Sequence, residues 1–253
     1  MPLTFSIITC TWNSARYLRD SIASVLAQRY PHIEYIFVDG GSDDGTLEQI
    51  RALDRPYRLL ENIRGGVSSA MNAGLQAATG DVVAYLHSDD YYLHPEVLST
   101  VAAQLSASGR GWLFGRTTTL RGGDLHADDY VAPRYSYDSL LRGNYIPHPA
   151  TFVRRSWMQR ARGFDTGLKY AMDYDLWLRL AKFGEPIQLD DPLAVFREHE
   201  GSLSSSSKTR LAALAEDMQV RLAHAGPNPL KRAQHYARYL VRRRRAILTG
   251  AST

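Results

Sequence analysis

Within the first 86 residues four short apolar runs alternate with amphipathic stretches. The runs, FSIITC, IEYIFV, YRLL and VVAYL, are of strand length. Between them lie TWNSARYLRDSIASVLAQ, TLEQIRAL and GGVSSAMNAGLQAAT. In the first of these, Leu18, Ile22, Val25 and Leu26 recur at helical spacing, and the third is stopped by Gly80. A β-α-β-α-β-α-β order admits few folds, because crossover helices set successive strands parallel in one sheet with both faces covered. The expectation is an α/β chain whose first half, residues 1–109, is a parallel, doubly wound unit.

The fourth run, inside DVVAYLHSDD (residues 81–90), ends abruptly in polar residues. In open α/β sheets ligands bind outside the carboxyl ends of the strands. Asp89 and Asp90 are thereby placed at the mouth of a cleft, where a divalent cation could bridge them to a phosphate. They would equally serve as a cap or turn for a helix read from YYLHPEVLSTVAAQL, so the pattern alone leaves both uses open. The Gly-rich GGSDDGT after the second run has neither the dinucleotide fingerprint nor P-loop spacing, which argues against a dehydrogenase or a P-loop NTPase.

From residue 110 the pattern changes. GWLFGRTTTL and DLHADDYVA read as strands of mixed direction, YSYDSLLRG as a short helix and HPATFVRR as another strand. AMDYDLWLRLAKFG is a clear helix, with Leu176, Leu180 and Phe183 on one face and Gly184 as its stop. PIQLDDPLAVFREH gives short strands, and the Ser204–Ser207 run marks a polar loop before two terminal helices.

Charge divides the chain unevenly. Of 30 Lys and Arg, eight follow Asp217, whereas all 26 Asp and Glu lie at or before it. The first 217 residues therefore carry 22 basic against 26 acidic groups, and the basic character belongs to the tail. The single cysteine, Cys10, permits no internal disulfide and suits a reducing compartment. MPLTFSIITCTWN has no basic n-region or long apolar run, so no signal peptide is expected, and no segment approaches the roughly 20 apolar residues of a membrane span.

Four motifs, SIITCTWN, VDGGSDDGT, LHSDD and DYDLWLRL, fall in an order that resembles the family-2 inverting glycosyltransferases. GGVSSAMNAG and IPHPATFVRR look most like the branch that builds bacterial exopolysaccharide and lipid-linked surface sugars. The match runs from about Leu3 to Ser204. The resemblance implies a GT-A fold over residues 1–215. Residues 1–109 would be a Rossmann-like nucleotide-binding half, sharing a mixed central sheet with an acceptor-binding half at 110–215, and residues 216–253 a basic helical tail.

It also implies roles. Thr11, Trp12 and Asn13 match the loop that meets the nucleotide base, and the Trp12 ring could pack against a base face or sit at the edge of the core. Asp39 matches the carboxylate that accepts from the uracil edge, with Ser42 and Asp44 completing its loop. Asn72 matches a recurrent Asn of the third helix. His87 stands at the first position of an Asp-x-Asp motif, with Ser88 beside it among the nucleotide contacts. Asp89 matches the metal-binding carboxylate, for Mn²⁺ or Mg²⁺, whose charge offsets the diphosphate. His199, in FREHEGSLS, could complete the metal shell and Arg197 reach the diphosphate. His148 and Asp90 fall near the donor sugar or acceptor, though a structural His148 held by Tyr145 or Asp138 is an equal reading. Asp173 matches the general base, which a single displacement needs opposite the leaving group.

The implied activity is transfer of a sugar from a nucleoside diphosphate, with uridine favoured, to a hydroxyl of a glycan or lipid-linked acceptor. Two other readings remain: a sugar nucleotidyltransferase, poorly supported because CTWNSAR offers only Arg16, and a catalytically inactive glycan-binding scaffold. In the tail, Leu230, Tyr236, Leu240, Val241 and Ile247 among basic residues suit an anionic membrane surface or a helix packed on the domain. No nucleic-acid motif accompanies them. The expected location is cytoplasmic, peripheral on the inner face of the plasma membrane.

Overall fold

The structure, a computed structural model, describes residues 1–127, 132–199 and 209–250. The end of the DLHADDYVA segment and the Ser204–Ser207 loop lie outside the described residues. One sheet organises the chain. Four strands, β1 (Phe5–Thr11), β2 (Ile33–Asp39), β3 (Arg58–Leu60) and β4 (Val82–Tyr85), pair in parallel in the order β3-β2-β1-β4. Helices α1 (Leu18–Leu26), α2 (Thr46–Arg51) and α3 (Val67–Ala77) make the crossovers. The expected alternation is present.

Side-chain period two explains why these strands need helices on both sides. Phe5, Ile7, Tyr35, Phe37, Val82, Ala84 and Leu86 enter a core with α1 and with α4 (Val97–Ser108). Their alternates Ile8, Ile36, Val38, Val83 and Tyr85 enter a second core with Met71 and Leu75 of α3. At Gly74 a Cβ would lie 2.5 Å from Ile8 Cγ2, so only glycine lets α3 approach β1 this closely.

The mixed half continues the same sheet. Antiparallel β8 (Thr151–Arg154) adds beside β4, followed by β6 (Trp112–Arg121) and then β9 (Ile187–Arg197), which runs parallel to β6. The hairpin partner β7 (Asp124–Ala127) pairs with β6. Helices α5 (Tyr137–Arg142), α6 (Arg155–Arg160) and α7 (Met172–Ala181) cover the second core with Leu140, Leu141, Met158, Leu176 and Trp177. The chain ends in α8 (Arg210–His224) and α9 (Pro229–Gly250).

Two expectations are corrected. PIQLDDPLAVFREH forms one long strand, β9, whose register shifts against β6 between Phe114 and Thr117. The helix after the Asp pair starts only at Val97; Tyr91–Tyr92 first form β5, paired with β9. Residue 216, where the tail was expected to begin, lies within α8, and Glu216 binds the segment that leads into α7.

Candidate active site

The carboxyl ends of β1 and β2 build one lobe. Asp39 ends β2 fully buried. Its Oδ1 accepts the backbone N–H groups of Gly41 and Ser42, each at 2.8 Å, and its Oδ2 accepts hydroxyls of Thr11 (2.8 Å) and Ser42 (2.6 Å). Burial alone would raise this carboxyl, but the hydrogen bonds from Ser42, Thr11 and Gly41 outweigh it and hold it below its ordinary value. Gly41 adopts φ +99°, which brings its N–H round to the carboxylate.

The same lobe is tied across to the β1–α1 loop. Asn13 N–H donates to Ser42 Oγ at 2.9 Å, Asp43 N–H to Asn13 Oδ1, and Ala15 N–H to Asp44 Oδ2. Ser88 Oγ lies 2.9 Å from Ser14 Oγ. Trp12 stands 72% exposed beside Gly40. The structure thus brings Thr11, Trp12, Asn13, Asp39, Ser42, Asp44 and Ser88 together. Asp39, however, already holds four donors, its full acceptor capacity. Accepting from a base edge requires the Thr11 or Ser42 hydroxyl to turn away.

Beyond β4, Asp89 is half-buried and its Oδ2 lies 3.0 Å from His199 Nε2. Among the described residues no three His, Cys, Asp or Glu side chains converge as a metal cage. The pair offers one hard carboxylate, which suits Mn²⁺ or Mg²⁺, and one borderline imidazole, which favours Mn²⁺ over Mg²⁺, with diphosphate oxygens and water to complete the shell. Arg197 and Asp90, expected near the donor or acceptor, meet each other's segments. Arg197 donates to the Asp89 carbonyl (3.0 Å) and to Asp20 (2.6 Å), and its backbone N–H donates to Asp90 Oδ1 (3.0 Å). Asp90 is buried, and burial together with Asp89 pushes its carboxyl well up. The two residues pin the end of β9 to the turn after β4.

His87 and His148 face each other with ring centroids 5.1 Å apart. His148, in a 3-10 turn (His148–Ala150), also meets Tyr85, Phe164 and Trp177, and its Nε2 is buried without a partner. The alternative anchors do not hold it: Tyr145 meets Ser139 and Asp138 meets Lys231. Burial lowers the pKa of both rings, His148 well below the usual imidazole value, so both are neutral near pH 7. Asn72, expected among the nucleotide contacts, makes contacts within the protein. Its amide donates to the Phe164 carbonyl and accepts the Phe164 N–H, each at 2.8 Å, locking α3 to the turn before α7.

Asp173 lies in the first turn of α7. Burial raises its carboxyl to about 6, against partial offsets that include the Tyr174 N–H at 2.6 Å and the Asn144 amide, which donates to Oδ2 at 3.1 Å, while the charge of Asp217 adds to the rise. Asn144 also lines a cavity of about 250 Å³ with Gly115, Arg116, Tyr145, Ile146 and Pro147. Asp175 points elsewhere and binds Arg179 (2.8 Å) and His224 (2.9 Å).

Three residues near these groups escaped the sequence reading. Glu216 of α8 accepts the N–H groups of Lys169, Tyr170 and Ala171, fixing the entry to α7. Asn144 carries no pattern of its own. Arg64 places its guanidinium within 3.1 Å of where a Cβ on Gly41 would stand, and its position before Gly65-Gly66 was the only hint.

Residues 6–127 match the family model described as glycosyl transferase family 2. An uncharacterized glycosyltransferase of Mycobacterium tuberculosis is 31% identical over 200 residues, 76% of this chain and 74% of the relative. Chondroitin synthase of Pasteurella multocida is 31% identical over 192 residues, 73% of this chain but 19% of that much longer protein. Among solved structures, S. aureus TarS in complex with UDP-GlcNAc aligns with TM-score 0.71 at 22% identity, covering 94% of this chain and 72% of that one. The mannosyltransferase PcManGT of Pyrobaculum calidifontis, in complex with GDP-Man and Mn²⁺, aligns with TM-score 0.69 at 20% identity, covering all of this chain and 74% of that one. These likenesses bear out the GT-A fold.

Proposed function

The chain belongs to glycosyl transferase family 2, and from that premise we propose that it moves a sugar, with inversion, from a UDP-sugar to a hydroxyl of a glycan or lipid-linked acceptor. The observation that carries this reading is Asp173. A carboxyl raised to about 6, hydrogen-bonded to the Asn144 that lines a cavity, is matched to taking a proton near neutral pH.

The uridine would lie over the Thr11–Asn13 loop and Ser42, with the Trp12 ring against its face. Asp89 and His199 would hold a divalent cation, which when bound supplies positive charge to the leaving diphosphate. The acceptor would enter the cavity lined by Gly115, Arg116 and Tyr145. Its oxygen attacks the anomeric carbon while the bond to the diphosphate oxygen breaks, and the hydroxyl proton passes to Asp173. UDP leaves with the bonding electron pair, and one displacement inverts the anomeric centre. Asn144, donating to the charged form of Asp173, keeps the carboxylate aimed and offsets part of its desolvation. A structural relative bound to UDP-GlcNAc and another bound to GDP-Man with Mn²⁺ support donor and metal classes of this kind.

The test is turnover of a panel of UDP-, GDP- and dTDP-sugars with and without Mn²⁺. UDP-sugar hydrolysis or transfer that needs the metal, and is lost in Asp173→Asn and in Asp89→Ala, is expected. Stabilisation by UDP with no turnover of any sugar nucleotide would instead identify a binding scaffold.

A further inference from the structure

Helix α9 is built inside out. A surface helix ordinarily turns its apolar stripe to the core. Here the residues packed against the protein are His235, Tyr239 and Ala246, with Arg242 on the same face reaching the carbonyl of Arg142 at 3.4 Å. These positions recur at intervals of three and four, one side of a helix. The opposite side carries Ala233, Tyr236, Ala237, Leu240 and Ile247, with Leu230 and Val241 next to them. Its large side chains are 44% to 74% exposed. Six of the ten exposed large apolar residues in the described structure belong to this one helix, so the patch is concentrated, not scattered.

Charge frames that patch. The helix holds seven Lys and Arg and no acid. Arg243 and Arg232 border the stripe on one side, Arg238 and Arg245 on the other, and Arg244 rises within it. Long arginine stems can lie along an apolar layer while their heads stay in a polar one. What such a face fits is apolar at its centre and anionic at its rim. A second copy of α9 would bring arginine against arginine. The 22 residues, about 33 Å long at the usual helical rise, are neither long-run apolar nor uncharged, and no described helix can cross a membrane.

We infer that α9 docks this protein flat on an anionic lipid bilayer, with Tyr236, Leu240, Val241 and Ile247 sunk to the headgroup boundary and Arg238, Arg243 and Arg244 on lipid phosphates. The inference stands on the helix alone and does not depend on the reaction. Through Arg242 and the Arg142 carbonyl, the docked helix also adjoins the loop that leads to Asn144.

The experiment is co-sedimentation of the full chain with phosphatidylcholine vesicles, with and without about a third of phosphatidylglycerol. Binding to the anionic vesicles, weakened by salt, is expected. Combined Arg238→Gln, Arg243→Gln and Arg244→Gln should lower partitioning on the order of a hundredfold. Combined Leu240→Gln, Val241→Gln and Ile247→Gln should lower it to a similar degree. Neither set should shift the melting temperature, because these side chains face solvent. Equal binding to both vesicle types would overturn the inference. So would full binding by the apolar triple variant, which would mean adsorption by charge alone. A lipid-free dimer dissolved by that same variant would assign the surface to a second copy.

Discussion

Asp39 and Asp173 are both carboxylates at the ends of secondary-structure elements, and burial pushes both pKa values up. They end on opposite sides of the ordinary value. Asp39 has four donors on two oxygens and stays low; Asp173 has one side-chain donor and one backbone N–H and rises to about 6. At Asp39 the hydrogen bonds outweigh the cost of burial; at Asp173 the cost of burial outweighs the hydrogen bonds. A fully supplied carboxylate is a strut, permanently charged and unavailable. An undersupplied one is costly to charge and therefore useful as a base.

The sharpest way to break the comparison is Asp173→Asn. Loss of a general base should lower turnover about a thousandfold. Stability should move the other way. Because the folded pKa of Asp173 is raised, the wild-type carboxyl favours folding only while protonated, and that contribution disappears as pH climbs through about 6. Chemical denaturation at pH 7.5 (a value chosen about 1.5 units above that pKa) should find the variant more stable by about 1–3 kcal/mol, with no gain near pH 4.

Asp39→Ala should do the reverse, costing about 3 kcal/mol because two hydroxyls and two backbone N–H groups lose a buried acceptor. The sign with pH is also opposite. A depressed folded pKa gives stability above the unfolded value that is lost as pH falls through the folded one. The gap between wild type and Asp39→Asn, read by denaturation, should therefore narrow in acid.

Glu216→Ala should cost about 2 kcal/mol, since three N–H groups at the entry to α7 lose their partner. Its kcat should fall while the thermal shift given by UDP with Mn²⁺ is retained. The smallest change is Asn144→Ala. Removing a donor to the charged form should raise the Asp173 pKa further, moving the ascending limb of the pH–rate profile upward by less than about one unit.

What the sequence disclosed follows the range of its signals. Side-chain alternation and helical spacing are local, so β1 to β4 and their crossovers were legible, as was α7 with Asp173 at its start. Strand β9 was not, because Asp190, Asp191 and Pro192 read as a break; the sheet absorbs them by a register shift beside Gly115, where a Cβ would meet Leu193. The internal contacts of Asn72, Arg197 and Asp90 were hidden for a related reason. Their partners lie 92 to 177 positions away along the chain, and a polar residue spent on a distant part of the protein looks identical to one spent on a ligand. Glu216 sat in what composition marked only as the start of a basic tail.

The most direct measurement is the pH dependence of kcat/KM for UDP-sugar turnover with saturating Mn²⁺. The account predicts an ascending limb with its midpoint near 6, carried by Asp173 and absent from the residual rate of Asp173→Asn. A profile flat from about pH 4 to 8, or a variant that keeps both the rate and the limb, would contradict it.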